Sequence, residues 1–140
     1  MVKRVLVPID GSEQAWDALD HAMAEYPNAD VTLLYVINPV GAGSGAQVGD
    51  VSYGEEWYEA SKARADGLFE AARERLPDGS FATETTVDRP ANGIVSFAED
   101  EAFDAIVMGS HGRDGVSRIL LGSVAETVVR RSPVPVTVVR

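Results

Sequence analysis

Apolar residues along this chain concentrate in five short runs, and longer segments of helical period separate the runs. The runs are Val2–Pro8, Val31–Ile37, Phe81–Val87, Asp104–Met108 and Val134–Val139. The second run is almost entirely apolar, which is typical of a strand buried on both faces, whereas the third alternates apolar with polar residues, as expected nearer a sheet edge. The alternation of strands with helices predicts a doubly wound α/β fold, in which helices cover both faces of a parallel sheet.

The segments between the runs predict four helices. A loop from Asn38 to about Ser52 precedes the second helix, which has roughly 20 residues and ends at Pro77–Gly79. The third helix opens at Pro90, and the fourth spans Ser123–Arg131. The residues that the helical period turns toward the core are Trp16, Leu19, Met23, Trp57, Ala65, Leu68, Ala72, Leu76, Ile94, Phe97 and Ala98.

The length and composition are those of an ordinary soluble domain. With 140 residues, 45% of them hydrophobic and 24% charged, we expect one domain over residues 1–140. The absence of cysteine excludes disulfide scaffolds, thiol catalysis and cysteine-based zinc sites. No apolar stretch approaches the roughly 18 residues that a membrane span needs, and no signal-peptide core follows the first residues. We therefore expect a cytoplasmic protein without a membrane partner.

The charge is strongly acidic and unevenly distributed. Twelve Lys and Arg stand against 22 Asp and Glu, a net charge of −10, and such a surface repels nucleic acids. Residues 105–140 carry a net charge of +3 and residues 1–104 one of −13, so an anionic ligand is expected in the last quarter of the chain. The composition is acid-rich and poor in lysine, as a high-salt cytoplasm favours, although an acidic protein of an ordinary cytoplasm would look similar.

The segment Met108–Val124 joins the fourth run to the last helix and is rich in glycine. Gly109 and Gly112 permit sharp turns and bring backbone N–H groups close to a ligand. At the start of the last helix, exposed N–H groups and the positive end of the dipole favour phosphate, and Ser123 with Glu126 fits a capping box. No lysine is present, so this is not a Walker A loop. The alternative is an ordinary strand-to-helix loop whose glycines serve the turn alone.

These residues resemble the universal stress protein family. The spacing Gly109-x2-Gly112-x9-Gly122-Ser123 matches that family's nucleotide-binding signature, G-2x-G-9x-G-(S/T). The segments Val5–Ser12, Asp104–Arg113 and Pro133–Val139 are similar to its first strand and turn, its fourth strand and loop, and its closing strand. The resemblance implies a five-stranded parallel sheet of order 3-2-1-4-5, the adenine nucleotide alpha hydrolase-like fold. In that order the first and fourth strands flank the point where the winding reverses, and open α/β sheets bind ligands there.

The resemblance further implies an ATP site in that crevice, with Mg or Mn on the phosphates. Asp10 would bond the nucleoside, backbone at Val36 would meet the adenine, and residues 108–112 would line the ribose and phosphate path. The residues expected to bind the nucleotide are Pro8, Ile9, Asp10, Val36, Met108, Gly109, His111, Gly112, Arg113, Gly122, Ser123 and Val124. Two alternatives stay open: Asp10 assists the Gly11–Ser12 turn, and Ile37 supplies the backbone group in place of Val36.

Three classes of function compete for this crevice. The first is an ATP-binding stress-response module that signals as a homodimer through the terminal strand Val134–Val139, whose apolar run at a sheet edge invites pairing. The second is a slow ATPase or phosphoryl-transfer enzyme. We expect no catalytic residues, since no general base is evident and Asp10-Gly11-Ser12-Glu13 replaces the Ser-Gly-Gly-x-Asp-Ser loop of the ATP-pyrophosphatase relatives. The third is a phospho-accepting receiver domain, because Asp10 and Asp88 follow the first and third strands.

Other candidates carry less chemistry. Gly41–Ala46 fits a dinucleotide fingerprint but follows the second strand rather than the first, so a flap is the better interpretation. His21 falls on a surface position of the first helix and is expected to be inert. With two histidines and no cysteine, a transition-metal site made of protein ligands alone is not expected.

Overall fold

The computed structural model describes residues 1–39, 51–110 and 121–140, with the backbone alone for residues 51–53. Within those ranges, strands and helices alternate as the hydrophobic pattern predicts. The strands are β1 Arg4–Pro8, β2 Asp30–Ile37, β3 Phe81–Val87, β4 Ala105–Gly109 and β5 Val136–Val139. The helices are α1 Glu13–Glu25, α2 Val51–Arg75, α3 Pro90–Asp100 and α4 Ser123–Arg131. None of these helices is long and apolar enough to cross a membrane.

The five strands form one parallel sheet of order β3-β2-β1-β4-β5, which confirms the expected fold. β1 lies between β2 and β4, with Leu6 in register with both Thr32 and Ile106. The winding therefore reverses between β1 and β4. The order also excludes the receiver class, whose doubly wound sheet runs 2-1-3-4-5 and sets the third strand beside the first. Here β3 is an edge strand, and Asp88 lies two strands from Asp10.

Local chemistry explains where the elements begin and end. Ser12 caps α1 by accepting a hydrogen bond from the Ala15 N–H at 3.2 Å. The predicted stop after α2 is confirmed, since the Gly79 N–H donates to the Leu76 carbonyl. β5 begins at Val136 rather than the expected Val134, because Pro135 has no N–H and joins β4 only through its carbonyl, which accepts from Ile106. The other predicted boundaries hold to within two residues, and those of β3 and α4 agree in full.

Two apolar layers fill the space between the sheet and its helices. On one face α1 and α2 cover β1 and β2, and on the other α3 and α4 cover β1 and β4. Of the residues predicted to face the core, Leu19, Ala65, Ala72, Ile94 and Ala98 are buried. Most of the others are partly buried and pack against the two layers. The helical period missed Phe69, which is 5% exposed and belongs to the first layer.

Hydrogen bonds and a stacking contact tie the amino end of the sheet together. One Asp104 carboxylate oxygen accepts from the backbone N–H groups of Lys3 and Arg4, each at 2.9 Å. These two bonds hold the pKa of Asp104 below its usual range, and nearby positive charge adds to the effect. The Arg4 guanidinium donates to the Glu101 carbonyl and lies 4.3 Å above the centre of the Phe103 ring. The start of β1 is thereby fastened to the turn before β4.

Candidate functional site

A cleft of about 200 Å³ opens at the carboxyl ends of β1, β2 and β4, at the point where the winding reverses. Its walls are mostly apolar, with a few polar groups at the rim, as small-molecule sites commonly are. The lining residues are Pro8, Ile9, Asp10, Ser12, Ala15, Leu34, Tyr35, Val36, Pro90, Ile94, Met108, Gly109 and Val124. The topology therefore opens a cleft at the expected switch point.

The turn after β1 holds Asp10 at the rim of the cleft. Its Oδ1 accepts a hydrogen bond from the Ser12 N–H at 2.9 Å, and Gly11 makes the turn with a φ of +89°, in the left-handed region that favours glycine. The predicted role of Asp10 in this turn is thus confirmed. The turn thereby fixes the carboxylate at the cleft.

Gly109, at the end of β4, is required by packing. A Cβ at this position would lie 2.6 to 2.8 Å from backbone and Cβ atoms of Gln14 in the first turn of α1. No side chain fits there without moving α1. The first glycine of the signature thus allows α1 to lie directly on β4, and the two elements together form one wall of the cleft.

The N-terminus of α4 differs from the predicted capping box. Gly122, not Ser123, is the N-cap residue, with φ −65° and ψ 161°, and Ser123 is the first helical residue. The Glu126 carboxylate pairs with Arg130 instead of reaching back to the N-cap. Gly122 has no side chain with which to cap this helix, in contrast to Ser12, which caps α1. The N-cap residue therefore provides no side-chain acceptor for the first-turn N–H groups of α4.

The two candidates for the adenine contact differ in their surroundings. The carbonyl of Ile37 already accepts from the Asp88 N–H at 3.0 Å, and the Ile37 side chain is buried. Val36 lines the cleft directly. A Cβ at Gly93 of α3 would lie 2.9 Å from the Val36 side chain, so α3 packs closely against this position. The Ile37 carbonyl is therefore already engaged by Asp88, whereas Val36 lies at the cleft.

The structure brings most of the predicted site residues together. Seven of them line the cleft: Pro8, Ile9, Asp10, Val36, Met108, Gly109 and Val124. Gly122 and Ser123 lie at the start of α4, and the Gly122 N–H donates to the Ser110 carbonyl just beyond β4. His111, Gly112 and Arg113 lie outside the described residues, as does Gly41–Ala46.

Other lining residues were missed at the sequence level. Pro90 and Ile94 belong to α3, which the hydrophobic pattern placed against the core without relating it to the cleft. Tyr35 and Leu34 precede Val36 on β2, and Ser12 and Ala15 belong to the start of α1. The available signal was topological, since α3 follows the edge strand and begins at the same carboxyl end as the cleft. Among the described residues, no group of three His, Cys, Asp or Glu side chains could hold a metal ion.

A doubly wound parallel sheet with a cleft at its switch point and an uncapped helix start beside it defines a class of ligand-binding α/β proteins. Within that class the family is shown by sequence. The model of the universal stress protein family matches residues 1–140, and the chain belongs to this family.

The chain is similar to curated members of the family along its whole length. It is 36% identical to universal stress protein MJ0531 of Methanocaldococcus jannaschii, covering all of this chain and 83% of the relative. It is 34% identical to universal stress protein MJ0577 of the same organism, covering all of this chain and 96% of the relative.

Solved structures share the fold. The structure of MJ0577 superposes with a TM-score of 0.83 at 36% identity, covering 99% of this chain and 96% of that one. A universal stress protein in complex with cAMP superposes with a TM-score of 0.71 at 26% identity, covering 99% and 97%. A family member from Arabidopsis thaliana with AMP bound has a TM-score of 0.68 at 15% identity, covering 98% and 90%, and shares the fold.

Proposed function

We propose that this protein is an ATP-binding regulatory module of the stress response that signals through its nucleotide-bound state. One observation carries the proposal: the uncapped N-terminus of α4 stands beside an apolar cleft at the switch point of the sheet. Apolar walls suit a base and a ribose, and a helix start without a side-chain cap suits phosphate. The complex of a similar family member with cAMP supports a nucleotide as the ligand.

Each part of the nucleotide has a suitable partner in this arrangement. We assign the adenine to the backbone at Val36, between the walls formed by β2 and α3, and the ribose to Asp10. The phosphates are assigned to the N–H groups at Gly122, Ser123 and Val124. A Mg or Mn ion would be held chiefly by the phosphates, as magnesium in nucleotide sites commonly is.

The first test is to ask what co-purifies with the protein. Acid extraction of the purified chain followed by chromatography should release an adenine nucleotide in an amount comparable with that of protein. Mainly intact ATP would support the binding module, whereas ADP that accumulates with time at the site would favour the slow ATPase. A chain that contains no nucleotide and fails to bind added ATP in a calorimetric titration would contradict the proposal.

We further propose that the module is a homodimer joined through β5. β5 is an edge strand with four half-buried residues, and Val129 on the adjacent helix α4 is 46% exposed. An apolar edge that a second copy covers is protected from aggregation, and a symmetric contact closes the assembly at two.

Light scattering tests the dimer. The wild type should have twice the 14.9 kDa mass of one chain. Val136 and Val138 pack against the core, so Val129→Arg is the cleaner disruptive variant and is expected to give monomers. Val87→Arg, at the equally exposed valine of the opposite edge strand β3, is the matched control and should stay dimeric. A wild-type mass near that of one chain would contradict the dimer.

The acidic surface supports a third proposal, that the protein works in a salt-rich cytoplasm. Three described acidic side chains in the first part of α2, those of Glu55, Glu56 and Glu59, are all exposed. Carboxylates at such density keep a surface hydrated, and salt screens their mutual repulsion.

A further inference from the structure

Alternate residues of the edge strand β3 direct their backbone N–H and C=O groups away from the sheet. Among the described strands, β3 pairs with β2 alone, over all seven of its residues. The Asp88 N–H continues this ladder by donating to the Ile37 carbonyl at 3.0 Å. Because the backbone groups of successive strand residues point to opposite sides, those of Thr83 and Thr85 point outward, away from β2.

The sequence of β3 lacks the features that usually block an open edge. β3 contains no proline and no lysine, and its register with β2 runs without a bulge. Its one charged residue is the exposed Glu84. At the opposite edge of the sheet, β5 has only four residues and follows Pro135. β3 is therefore the longer template for an added strand.

A polar groove of about 360 Å³ lies between α2 and this edge. The α2 side of the groove carries Lys62, Asp66, Glu70 and Arg73, whose spacing sets them along one face of the helix. The other side is formed by Thr83–Thr85 of β3. This β3 groove shares no lining residue with the cleft at the switch point, so it is a separate surface.

The charges of the β3 groove favour a basic partner. Three carboxylates and two cations line it, a net charge of −1, and residues 1–104 as a whole carry −13. Glu70 and Arg73 pair with each other at 3.0 Å, which leaves Asp66 and Glu84 as the carboxylates open to a partner's cation. A symmetric pairing of two β3 strands about their central residue would set Glu84 opposite Glu84, so a second copy is disfavoured.

We propose that the β3 groove binds an extended segment of a partner protein, rich in lysine or arginine, as a further strand of the sheet. The backbone of the segment pairs with the outward groups of Thr83 and Thr85, and its basic side chains lie beside Asp66 and Glu84. The backbone hydrogen bonds supply affinity, and the carboxylates supply the preference for a basic sequence. The surface is independent of the nucleotide assignment and gives the protein a site for a protein partner.

A purely protective role for Glu84 makes a different prediction. Charged residues on an edge strand discourage aggregation without binding anything. In that case the edge should bind neither a basic nor an acidic peptide, and replacing Glu84 should change only solubility.

Two labelled peptides of seven residues, the length of β3, test the assignment on the full chain by fluorescence anisotropy. One peptide alternates lysine with valine, and the other has glutamate in place of each lysine. The lysine peptide should bind, and the glutamate peptide should not. In NMR spectra of the complex, the amide signals of Thr83 and Thr85 should shift more than those of Glu84 and Thr86, whose N–H groups face β2.

Charge reversal at the groove gives the sharper test. Glu84→Lys should weaken binding of the lysine peptide by about three- to tenfold and strengthen that of the glutamate peptide by a similar factor. The matched control is Glu74→Lys, the same charge change at an exposed position of α2 outside the groove lining, which should alter either affinity by less than about twofold. Thr83→Pro removes one outward N–H and should abolish binding, since proline is tolerated where the N–H of an edge strand faces solvent.

Several results would overturn the proposal. They are a lysine peptide that fails to bind at millimolar concentration, equal binding of the two peptides, and amide shifts confined to the cleft or to β5. Equal effects of Glu84→Lys and Glu74→Lys would also overturn it, because the attraction would then come from the net charge of the whole protein. If a thermal melt shows that Thr83→Pro is unfolded, the charge reversal at the exposed Glu84 decides alone.

Discussion

The two ends of the sheet are built in opposite ways. At the amino end, protein groups satisfy one another: Asp104 accepts from two backbone N–H groups, and Arg4 covers the Phe103 ring. At the carboxyl end, the cleft opens, and the N-cap residue of α4 provides no side-chain acceptor. Protein groups therefore tie the amino end together, while the carboxyl end holds the cleft to which the proposed nucleotide is assigned.

This contrast gives a rule for separating structural from functional residues of one chemical type. Asp10 follows β1 and Asp104 precedes β4, and both accept hydrogen bonds from backbone N–H groups. Asp104 accepts hydrogen bonds from residues distant in sequence and joins two strands, whereas Asp10, at the cleft, accepts one from Ser12 in its own turn. Changes to the Asp104 and Arg4 contacts at the amino end should lower stability and spare binding. Changes at the start of α4 should weaken binding and spare stability, whereas Gly109, which packs against α1, is expected to affect stability as well.

The largest effect is expected from Gly122→Val, which should abolish ATP binding with the fold nearly intact. With φ −65° and ψ 161°, Gly122 has a backbone conformation that any residue adopts, so the unfolding free energy should fall by less than about 1 kcal/mol. The valine side chain would occupy the phosphate position beside the helix start. Calorimetric titration with ATP measures the affinity, and a thermal melt of the same sample measures the stability. A folded variant with wild-type affinity would show that the phosphates do not reach α4.

The next largest effect is expected from Gly109→Ala, which should lower the unfolding free energy. Its Cβ would press on the Gln14 backbone at 2.6 Å, and overpacking of this kind costs roughly 1–3 kcal/mol in unfolding free energy. Chemical denaturation measures the loss. The control is Gly67→Ala in α2, where a Cβ meets nothing within 4 Å and alanine should stabilise the helix by about 0.5–1 kcal/mol. Equal stability changes at the two glycines would contradict the close packing of α1 on β4.

The contrast between these glycines shows how far the sequence could lead. The alternation of strands and helices was predictable, because hydrophobic period and turn residues are local. The sheet order was expected only from the resemblance to the family, which the spacing of the signature carries. The G-2x-G-9x-G-(S/T) pattern treats its glycines alike, however. Glycine is needed at position 109 because α1 packs against it through Gln14. Gln14 lies 95 positions away in the chain, and no local pattern contains that contact.

The prediction of a capping box was wrong for a related reason. Ser123 and Glu126 have the required spacing, but the pattern does not fix which residue leaves the helical conformation. The chain enters α4 through Gly122, whose N–H is held by Ser110, so the helix begins one residue earlier than the box requires. Pro90 and Ile94 were likewise predictable as helix residues and not as cleft residues, because only the assembled sheet sets α3 beside β2.

A smaller effect is expected at the amino end from Asp104→Asn. Because the pKa of Asp104 is lowered in the folded state, the carboxylate contributes stability at pH values above its unfolded pKa, and this contribution is lost as the pH falls through the folded pKa. The variant should melt a few degrees below wild type near pH 7, and the difference should shrink as the solution is acidified below about pH 4. ATP affinity should not change.

Thermal melts of both proteins from pH 3 to pH 7 measure this. Asp66→Asn, an exposed carboxylate of α2, is the control and should change the melting temperature little at any pH. A difference in melting temperature between Asp104→Asn and wild type that stays constant, or grows, toward low pH would contradict the stabilisation of the start of β1 by the Asp104 carboxylate.

The smallest effect is expected from salt, because it acts on exposed charges rather than on either end of the sheet. The first 104 residues carry a net charge of −13, and their repulsion is only partly screened at 0.1 M salt, where the screening length is about 10 Å. The melting temperature should therefore rise as KCl increases from dilute to molar concentration. Replacing the exposed Glu55, Glu56 and Glu59 by Gln removes three of these charges and should make the rise shallower. A wild-type melting temperature that is flat or falls over this range would remove the salt-rich cytoplasm as an explanation, and would leave the acidic surface as a feature of solubility alone.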